Sequence, residues 1–214
     1  MDIIDPAVSD YLLEHCTPAD EILRDLAEET YAKYPPGDAG MQISHDEGQL
    51  LTMLVQLTGV RYAVEVGTFT GYSSICIARG LQPGGRLLAC DVSEEWTGIA
   101  RGYWERAGLT DRIDLRIAPA IETLRALDPD PVIDFGFVDA DKTGYPDYYD
   151  ELVPRLRSGG LLVFDNVLRG GGVLNPAGAS DRAVAGLNDR IVTDERVESV
   201  MLPVRDGVTL VRKR

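Results

Sequence analysis

Apolar residues follow two different spacings along this chain, and the change comes near residue 61. Within residues 20–33, Ile22, Leu23, Leu26 and Ala27 share one stripe of a predicted helix. Ser44 stands at the start of a second helical stretch that runs through Leu57, and Glu47 follows three positions later. This spacing predicts a capping box, in which the serine and glutamate side chains bond to each other's backbone amides.

After residue 61, short apolar or β-branched runs alternate with helical stretches. The predicted strands are residues 62–66, 86–90, 112–117, 132–138 and 160–164, and the predicted helices between them are residues 72–81, 94–107, 119–127 and 146–157. Repeated β-α-β units with apolar strands predict a parallel sheet that is covered on both faces. Asp206-Gly207 lies between two further strand-like runs, 199–204 and 208–212, and predicts a closing antiparallel hairpin.

These elements predict an α/β fold with one domain. A length of 214 residues suits one such domain and is short for two. We expect a Rossmann-like, doubly wound and mostly parallel seven-stranded sheet over residues 61–214, preceded by a helical segment over residues 1–60.

Charge and composition narrow the function classes. The chain has 21 basic and 35 acidic residues, a net charge of −14, and no dense basic run, so nucleic acid is a poor candidate partner. A small local basic pocket for an anionic small molecule remains open. No apolar run is long enough to span a bilayer, and the N-terminus does not resemble a signal peptide, so we expect a cytoplasmic enzyme without a membrane partner. The three cysteines form no CxxC pair, and Cys76 and Cys90 are expected in the core.

Two of the predicted strands end at a carboxylate. Asp139 follows the apolar run 132–138, and Asp165-Asn166 follows the run 160–164. Ligands of α/β proteins sit beyond the carboxyl ends of parallel strands, so we expect these three side chains to lie together, with Lys142 close by. Such hard oxygen donors suit Mg²⁺ or Ca²⁺. An acid at a strand end can equally be a helix cap or a turn residue.

The first predicted strand leads into a glycine turn. Gly67 and Gly71 follow a GxxxG spacing, which is neither the GxGxxG of dinucleotide-binding folds nor a P-loop. Glu65 would repel a phosphate and instead suits a cationic amino group, such as that of S-adenosylmethionine. Asp91 ends the next strand, where it can accept hydrogen bonds from ribose hydroxyls. The alternative is a tight turn without a ligand.

Together these motifs resemble the small cation-dependent O-methyltransferases of the class I S-adenosylmethionine fold, typified by caffeoyl-CoA O-methyltransferase, with catechol O-methyltransferase as a more distant relative. The resemblance runs from Met41-Gln42-Ile43-Ser44-His45-Asp46-Glu47-Gly48-Gln49, through the glycine turn and the Asp-Ala-Asp-Lys motif, to the closing residues 202–207. It implies S-adenosylmethionine as cofactor and a divalent cation, Mg²⁺ first and Ca²⁺ or Mn²⁺ as alternatives. It also implies a homodimer.

The resemblance assigns roles to individual residues. It implies that Asp139, Asp165 and Asn166 bind the metal, with Asp139 and Lys142 as the catalytic residues and Lys142 as the general base. The implied cofactor-binding residues are Met41, Ile43, Glu65, Gly67, Thr68, Phe69, Ser73, Asp91, Ala120 and Asp141. Phe69 and Trp96 either flank the ligands or pack ordinarily, and His45 is expected to face solvent.

The expected reaction is cation-assisted methyl transfer to a hydroxyl of a catechol-type small molecule. Arg169 departs from the family, since relatives often carry Trp there, and a basic N-terminal residue that plant relatives direct at CoA phosphates has no clear match. The net charge of −14 and the missing basic residue favour a small catechol as acceptor, with a caffeoyl-CoA or hydroxycinnamoyl thioester as the alternative. A nicotinamide-dependent oxidoreductase and a non-catalytic cofactor-binding protein are competing classes.

Overall fold

The computed structural model describes residues 4–130 and 132–214. Its α-helices are α1 (Pro6–Glu14), α2 (Glu21–Lys33), α3 (Pro36–Ala39), α4 (His45–Leu57), α5 (Tyr72–Gly80), α6 (Glu94–Arg106), α7 (Ala120–Arg125), α8 (Tyr145–Arg155) and α9 (Ala179–Thr193). Its strands are β1 (Tyr62–Val66), β2 (Arg86–Asp91), β3 (Ile113–Ile117), β4 (Ile133–Val138), β5 (Leu156–Phe164), β6 (Val197–Leu202) and β7 (Val208–Lys213). Short 3₁₀ segments cover Thr110–Arg112, Lys142–Gly144 and Arg169–Leu174. None of the helices in these ranges has the length and apolar character to cross a membrane.

The strands form one seven-stranded sheet in the order β3-β2-β1-β4-β5-β7-β6. The first five run parallel to one another, while β7 pairs antiparallel with both β5 and β6. The chain winds outward from β1 to β3 and then returns to place β4 on the other side of β1. This reversal is the topological switch point at which doubly wound sheets bind ligands. The structure confirms the predicted Rossmann-like sheet and its antiparallel end.

Helices cover both faces of the sheet, which explains why its central strands are continuously apolar. Side chains of α2, α4, α5 and α6 pack with Phe137 in one buried cluster, and side chains of α7, α8 and α9 pack with Val138 in a second. Adjacent residues of a strand point to opposite faces, so one short strand serves both clusters. Cys76 and Cys90 are buried in these clusters, as expected.

The closing hairpin differs in detail from its prediction. The strand expected over residues 199–204 ends at Leu202, because Pro203 has no amide to donate to the ladder. The turn is longer than Asp206-Gly207, and the Gly207 amide donates to the Val204 carbonyl at 2.7 Å. Arg205 adopts a left-handed conformation, with φ of 48°.

The start of α4 is confirmed, but its predicted capping box is wrong. Ser44 is the N-cap residue, yet its side chain makes no capping hydrogen bond. Glu47 is buried, and one of its carboxylate oxygens has no hydrogen-bond partner within the described ranges. The physical reason is that the Glu47 side chain lines a cavity at the carboxyl edge of the sheet and does not turn back to the helix end.

Candidate active site

A cavity of about 660 Å³ lies beyond the carboxyl ends of β1, β2, β4 and β5. Gly67, Asp91, Asp139 and Asp165 follow or end these four strands, and all four line the cavity. Among the residues singled out from the sequence, the cavity wall also contains Met41, Ile43, Thr68, Phe69, Ser73, Ala120, Asp141, Lys142 and Asn166. The volume is within the range of small-molecule sites.

The turn after β1 depends on two glycines. Gly67 has a φ of 94°, and a Cβ at this position would stand 2.1 Å from the backbone oxygen of Asp139. Gly71 has a φ of 91°, and its Cβ would stand 2.7 Å from the Cβ of Ala100 in α6. Both the left-handed backbone and the lack of space favour glycine here. The turn therefore packs tightly between the end of β4 and α6.

Asp91 fixes the shape of this glycine turn. Its Oδ2 accepts hydrogen bonds from the backbone amides of Thr68 and Phe69, at 2.9 Å each, and its Oδ1 accepts one from the Ser93 amide at 2.8 Å. Charge-assisted bonds of this kind are stronger than neutral ones. Asp91 is thus a structural acceptor in the cavity wall, and its hydrogen bonds to ribose stay a prediction.

Glu65 is completely buried near the glycine turn and is absent from the cavity wall. Its Oε2 accepts hydrogen bonds from the hydroxyls of Ser74 at 2.5 Å and Thr68 at 3.1 Å, while Oε1 has no partner in residues 4–130 and 132–214. Burial raises the pKa of Glu65 to about 7. Oε1 therefore has the capacity to accept a hydrogen bond from a further donor. That this donor is the amine of the cofactor stays a prediction. Sequence reasoning named Ser73 and missed Ser74.

The three predicted metal-binding side chains line one cavity, as their strand-end positions predict. Asp165 is buried, and burial together with the Asp139 charge raises its pKa to about 7. Asn166 donates to both oxygens of Asp165, through its backbone amide at 2.5 Å and through Nδ2 at 2.9 Å. Lys142 Nζ donates to Asp139 Oδ1 at 2.6 Å. The predicted base therefore touches a predicted metal ligand.

Tyr145 joins these groups and was missed by sequence reasoning. Its hydroxyl accepts a hydrogen bond from Lys142 Nζ at 2.7 Å and lies 3.1 Å from the Val138 carbonyl and 2.9 Å from the Asp165 carbonyl. Burial and the charges of Asp139 and Asp165 raise the pKa of Tyr145 well above its usual value, so the phenol keeps its proton. The ends of β4 and β5 are therefore held together by one buried hydroxyl.

Asp141 is held at the cavity wall by two hydroxyls. Tyr148 donates to Asp141 Oδ1 at 2.5 Å, and Thr143 donates to Oδ2 at 3.2 Å. Tyr148 itself lines the cavity, although nothing in the sequence pattern marked it. This arrangement orients a carboxylate two positions after Asp139, and its contact with the cofactor stays a prediction.

Three further side chains named from the sequence are Phe69, Trp96 and His45. Phe69 and Trp96 both line the cavity and pack edge to face, with ring centroids 5.3 Å apart. His45 is half-buried, with Nε2 at 2.6 Å from the Thr17 carbonyl and Nδ1 at 2.9 Å from the Tyr72 hydroxyl. His45 is thus only partly exposed to solvent, both of its ring nitrogens have protein partners, and it is not part of the cavity wall.

Two arginines complete the wall next to Asn166. Arg169 and Arg205 both line the cavity, with left-handed φ values of 52° and 48°. Arg169 Nε lies 3.6 Å from Asp181 Oδ1. Asp206 ties the two segments together, because its Oδ1 accepts a hydrogen bond from the Gly170 amide at 2.6 Å. Sequence reasoning singled out Arg169 and missed Arg205, although Arg205 lies in the closing segment of the family resemblance.

The donor chemistry of the cavity fits a hard divalent cation. Within residues 4–130 and 132–214, no three His, Cys, Asp or Glu side chains are grouped as a metal site. The candidate ligands are two carboxylates, Asp139 and Asp165, and the amide of Asn166. Such oxygen donors are those that Mg²⁺, Ca²⁺ and Mn²⁺ prefer. Asp165 and Glu47 are buried carboxyl groups at this cavity, and a bound cation would stabilise their ionised forms.

Comparison with known proteins places the chain in a family. The profile of the O-methyltransferase family matches residues 13–214. A probable caffeoyl-CoA O-methyltransferase 1 of Dictyostelium discoideum is 35% identical over 213 residues, which cover 97% of this chain and 92% of that protein. Caffeoyl-CoA O-methyltransferase 2 of Eucalyptus globulus is 40% identical over 205 residues, which cover 90% of this chain and 82% of that protein.

Solved structures agree with the sequence relatives. The crystal structure of the O-methyltransferase from Bacillus cereus in complex with SAH superposes with a TM-score of 0.87 at 31% identity and covers 97% of each chain. The chain therefore belongs to the O-methyltransferase family. Its activity class is that of an S-adenosylmethionine-dependent O-methyltransferase, and the predicted resemblance is confirmed.

Proposed function

We propose that this enzyme methylates a hydroxyl of a vicinal dihydroxy aromatic with the help of a divalent cation held by Asp139, Asp165 and Asn166. One observation carries the proposal: these three oxygen donors and Lys142 share a cavity with the glycine turn that follows β1. A methyl donor bound at that turn and an acceptor bound at the oxygen donors would meet inside one enclosed space. Proximity of this kind supplies much of the acceleration of a two-substrate reaction.

A bound divalent cation supplies Lewis acidity to the acceptor oxygens and a fixed direction for them. The chain itself supplies the proton acceptor. Lys142 must be in its neutral form to accept the hydroxyl proton at Nζ, and its contacts with Asp139 and the Tyr145 hydroxyl hold that nitrogen at the cavity wall. With S-adenosylmethionine bound at the glycine turn, the deprotonated acceptor oxygen would take the methyl group as the S–CH3 bond breaks, and S-adenosylhomocysteine would leave as a neutral thioether. Exclusion of water would favour this mutual loss of charge.

The cofactor contacts are part of the same proposal. Within this proposal, Asp91 accepts hydrogen bonds from the ribose hydroxyls. Asp141 balances the positive charge of the methionine end together with Glu65, which is buried outside the cavity wall. The buried, unpartnered oxygen of Glu65 supports this assignment, because an uncompensated carboxylate is costly to bury. Met41 and Ile43 would close this end of the cavity, since both lie in its wall.

The names of the relatives favour a caffeoyl thioester as the acceptor. The sequence analysis alone favours a free catechol. The Dictyostelium and Eucalyptus relatives both carry the name caffeoyl-CoA O-methyltransferase. Arg169 and Arg205 in the wall near Asn166 add positive charge on the proposed acceptor side, which suits an anionic acceptor. We therefore place caffeoyl-CoA first and a free catechol second.

The test is a methyl-transfer assay with caffeoyl-CoA, caffeate and catechol, run in EDTA and after Mg²⁺ is restored. We expect turnover only with Mg²⁺, and Asp165→Ala should lower it by at least about 100-fold. Asp111→Ala, at an exposed position outside the cavity wall, is the matched control and should keep wild-type turnover. Full activity in EDTA would refute the requirement for a divalent cation. If none of the three acceptors is methylated, the proposal of a vicinal dihydroxy aromatic acceptor is wrong.

The homodimer and the cytoplasmic location remain predictions of the same proposal. Light scattering after size-exclusion chromatography should give the mass of two chains at micromolar concentration. A single-chain mass under those conditions would contradict the homodimer.

A further inference from the structure

Glu47 is a buried acid at the wall of the cavity. It lies in the first turn of α4, where the sequence pattern predicts a capping role that the structure does not show. Its side chain is 1% exposed, and its Oε1 has no hydrogen-bond partner within the described part of the chain. Glu47 nevertheless lines the same cavity as Asp139, Asp165 and Asn166. Glu47 is therefore a wall residue of the cavity that holds the proposed cation site, and one of its carboxylate oxygens is unpaired.

Burying such a group is costly unless positive charge or hydrogen-bond donors compensate it. Burial, followed by the charges of Asp165 and Asp139, raises the pKa of Glu47 well above its usual value, and Arg205 opposes this effect. The protein therefore places three carboxyl groups around one space, with Lys142 and Arg205 as nearby cations. A divalent cation with its bound water would supply both the missing charge and the missing donors.

We propose that Glu47 belongs to the cation site as an outer carboxylate, which accepts a hydrogen bond from water on the cation and does not touch the ion. The proposal rests on the cation site of the proposed function and extends it by one residue. Direct ligation is disfavoured, because no three acidic, His or Cys side chains of residues 4–130 and 132–214 are grouped as a metal site. Outer carboxylates of this kind orient the ligands of a metal and raise its affinity.

The role assigned to Glu47 differs from that of Asp139 and Asp165. Mg²⁺ retains several of its water molecules in protein sites, so a site with three protein ligands leaves water that needs acceptors. Glu47 offers its carboxylate for this purpose from α4, a helix that packs against α5 in the connection between β1 and β2. It is therefore a positioning residue for the cation and does not take part in the proton transfer.

The test measures cation affinity directly, without turnover. Mn²⁺ is titrated into the full-length enzyme, and free Mn²⁺ is followed by electron paramagnetic resonance. Glu47→Gln keeps the size of the side chain and removes its charge, and we expect its dissociation constant for Mn²⁺ to rise by about 10- to 100-fold. Glu105→Gln, at an exposed position in α6, makes the same change in net charge and should bind Mn²⁺ like the wild type.

Further variants test the role of Glu47 separately from the existence of the cation site. Glu47→Asp keeps the charge with a shorter reach, so it should bind Mn²⁺ more tightly than Glu47→Gln, and circular dichroism verifies that both are folded. If Asp165→Ala loses Mn²⁺ but Glu47→Gln binds it within twofold of the wild type, the role of Glu47 is wrong and the cation site stands. If the wild type binds no Mn²⁺, the cation site fails and the Glu47 proposal fails with it.

Discussion

Replacing Glu65 with glutamine should remove a large part of the pH dependence of folding stability. The wild-type carboxyl group is completely buried, and burial raises its pKa from the ordinary 4.5 to about 7. An acid with a raised pKa in the folded state takes up a proton on folding. Its contribution to stability is therefore complete below about pH 4.5 and is lost as the pH rises towards 7.

The magnitude follows from the size of the pKa shift. Each unit corresponds to about 1.36 kcal/mol, so a rise from 4.5 to about 7 lowers the free energy of unfolding by about 3 kcal/mol once the pH exceeds 7. Between pH 5 and pH 8 the loss assigned to Glu65 is about 2.5 kcal/mol. The group is fully buried, so solvent screening does not reduce this figure appreciably.

Urea unfolding at pH 5, 6, 7 and 8, without cofactor, measures this loss. The contributions of the other titrating groups cancel in the difference between the free energies of unfolding of the wild type and Glu65→Gln. Glu105→Gln controls for the change in net charge. We expect the stability of Glu65→Gln relative to the wild type to increase by about 2.5 kcal/mol from pH 5 to pH 8, whatever its offset at pH 5. A pH-independent difference would show that Glu65 titrates at its ordinary pKa and would refute the reasoning.

Two further predictions concern the walls of the cavity. Gly67→Ala should lower the free energy of unfolding by more than about 3 kcal/mol, because its Cβ would clash with the Asp139 backbone. Gly84→Ala shares a positive φ but meets no neighbour within 4 Å, so it should cost only about 1 kcal/mol in the same urea assay, and equal costs would contradict the clash. Tyr148→Phe removes the hydrogen bond to Asp141 and should weaken S-adenosylmethionine binding by about fivefold in calorimetry; unchanged binding would exclude Asp141 from the cofactor site.

The sheet and the acidic centre of the cavity could be predicted because both depend on order along the chain. Parallel strands end at the same edge of a sheet, so Asp139 and Asp165 are brought to one place by topology alone. Gly67 and Asp91 are predictable for the same reason. The structure therefore confirms that these residues line one cavity, while their individual ligands remain predictions.

The residues that sequence reasoning missed depend on side-chain direction. Glu47 matches a local capping pattern, and only tertiary packing decides that it points into the cavity. Tyr145 reaches two carbonyls on different strands, a relation that no spacing along the chain encodes. Arg205 enters the wall because the hairpin turn is longer than its Asp-Gly signal indicates.

The reversed direction of β7 has a consequence for how this enzyme can diversify. A strand that runs against its neighbours begins at the edge where they end, so the turn before β7 reaches the loop after β5 and is bonded to it through Asp206. Part of the proposed acceptor side is thus built from two loop segments, in addition to the oxygen donors that follow β4 and β5. We therefore expect substitutions at Arg169 or Arg205 to change which molecule is methylated and to leave binding of the methyl donor unchanged.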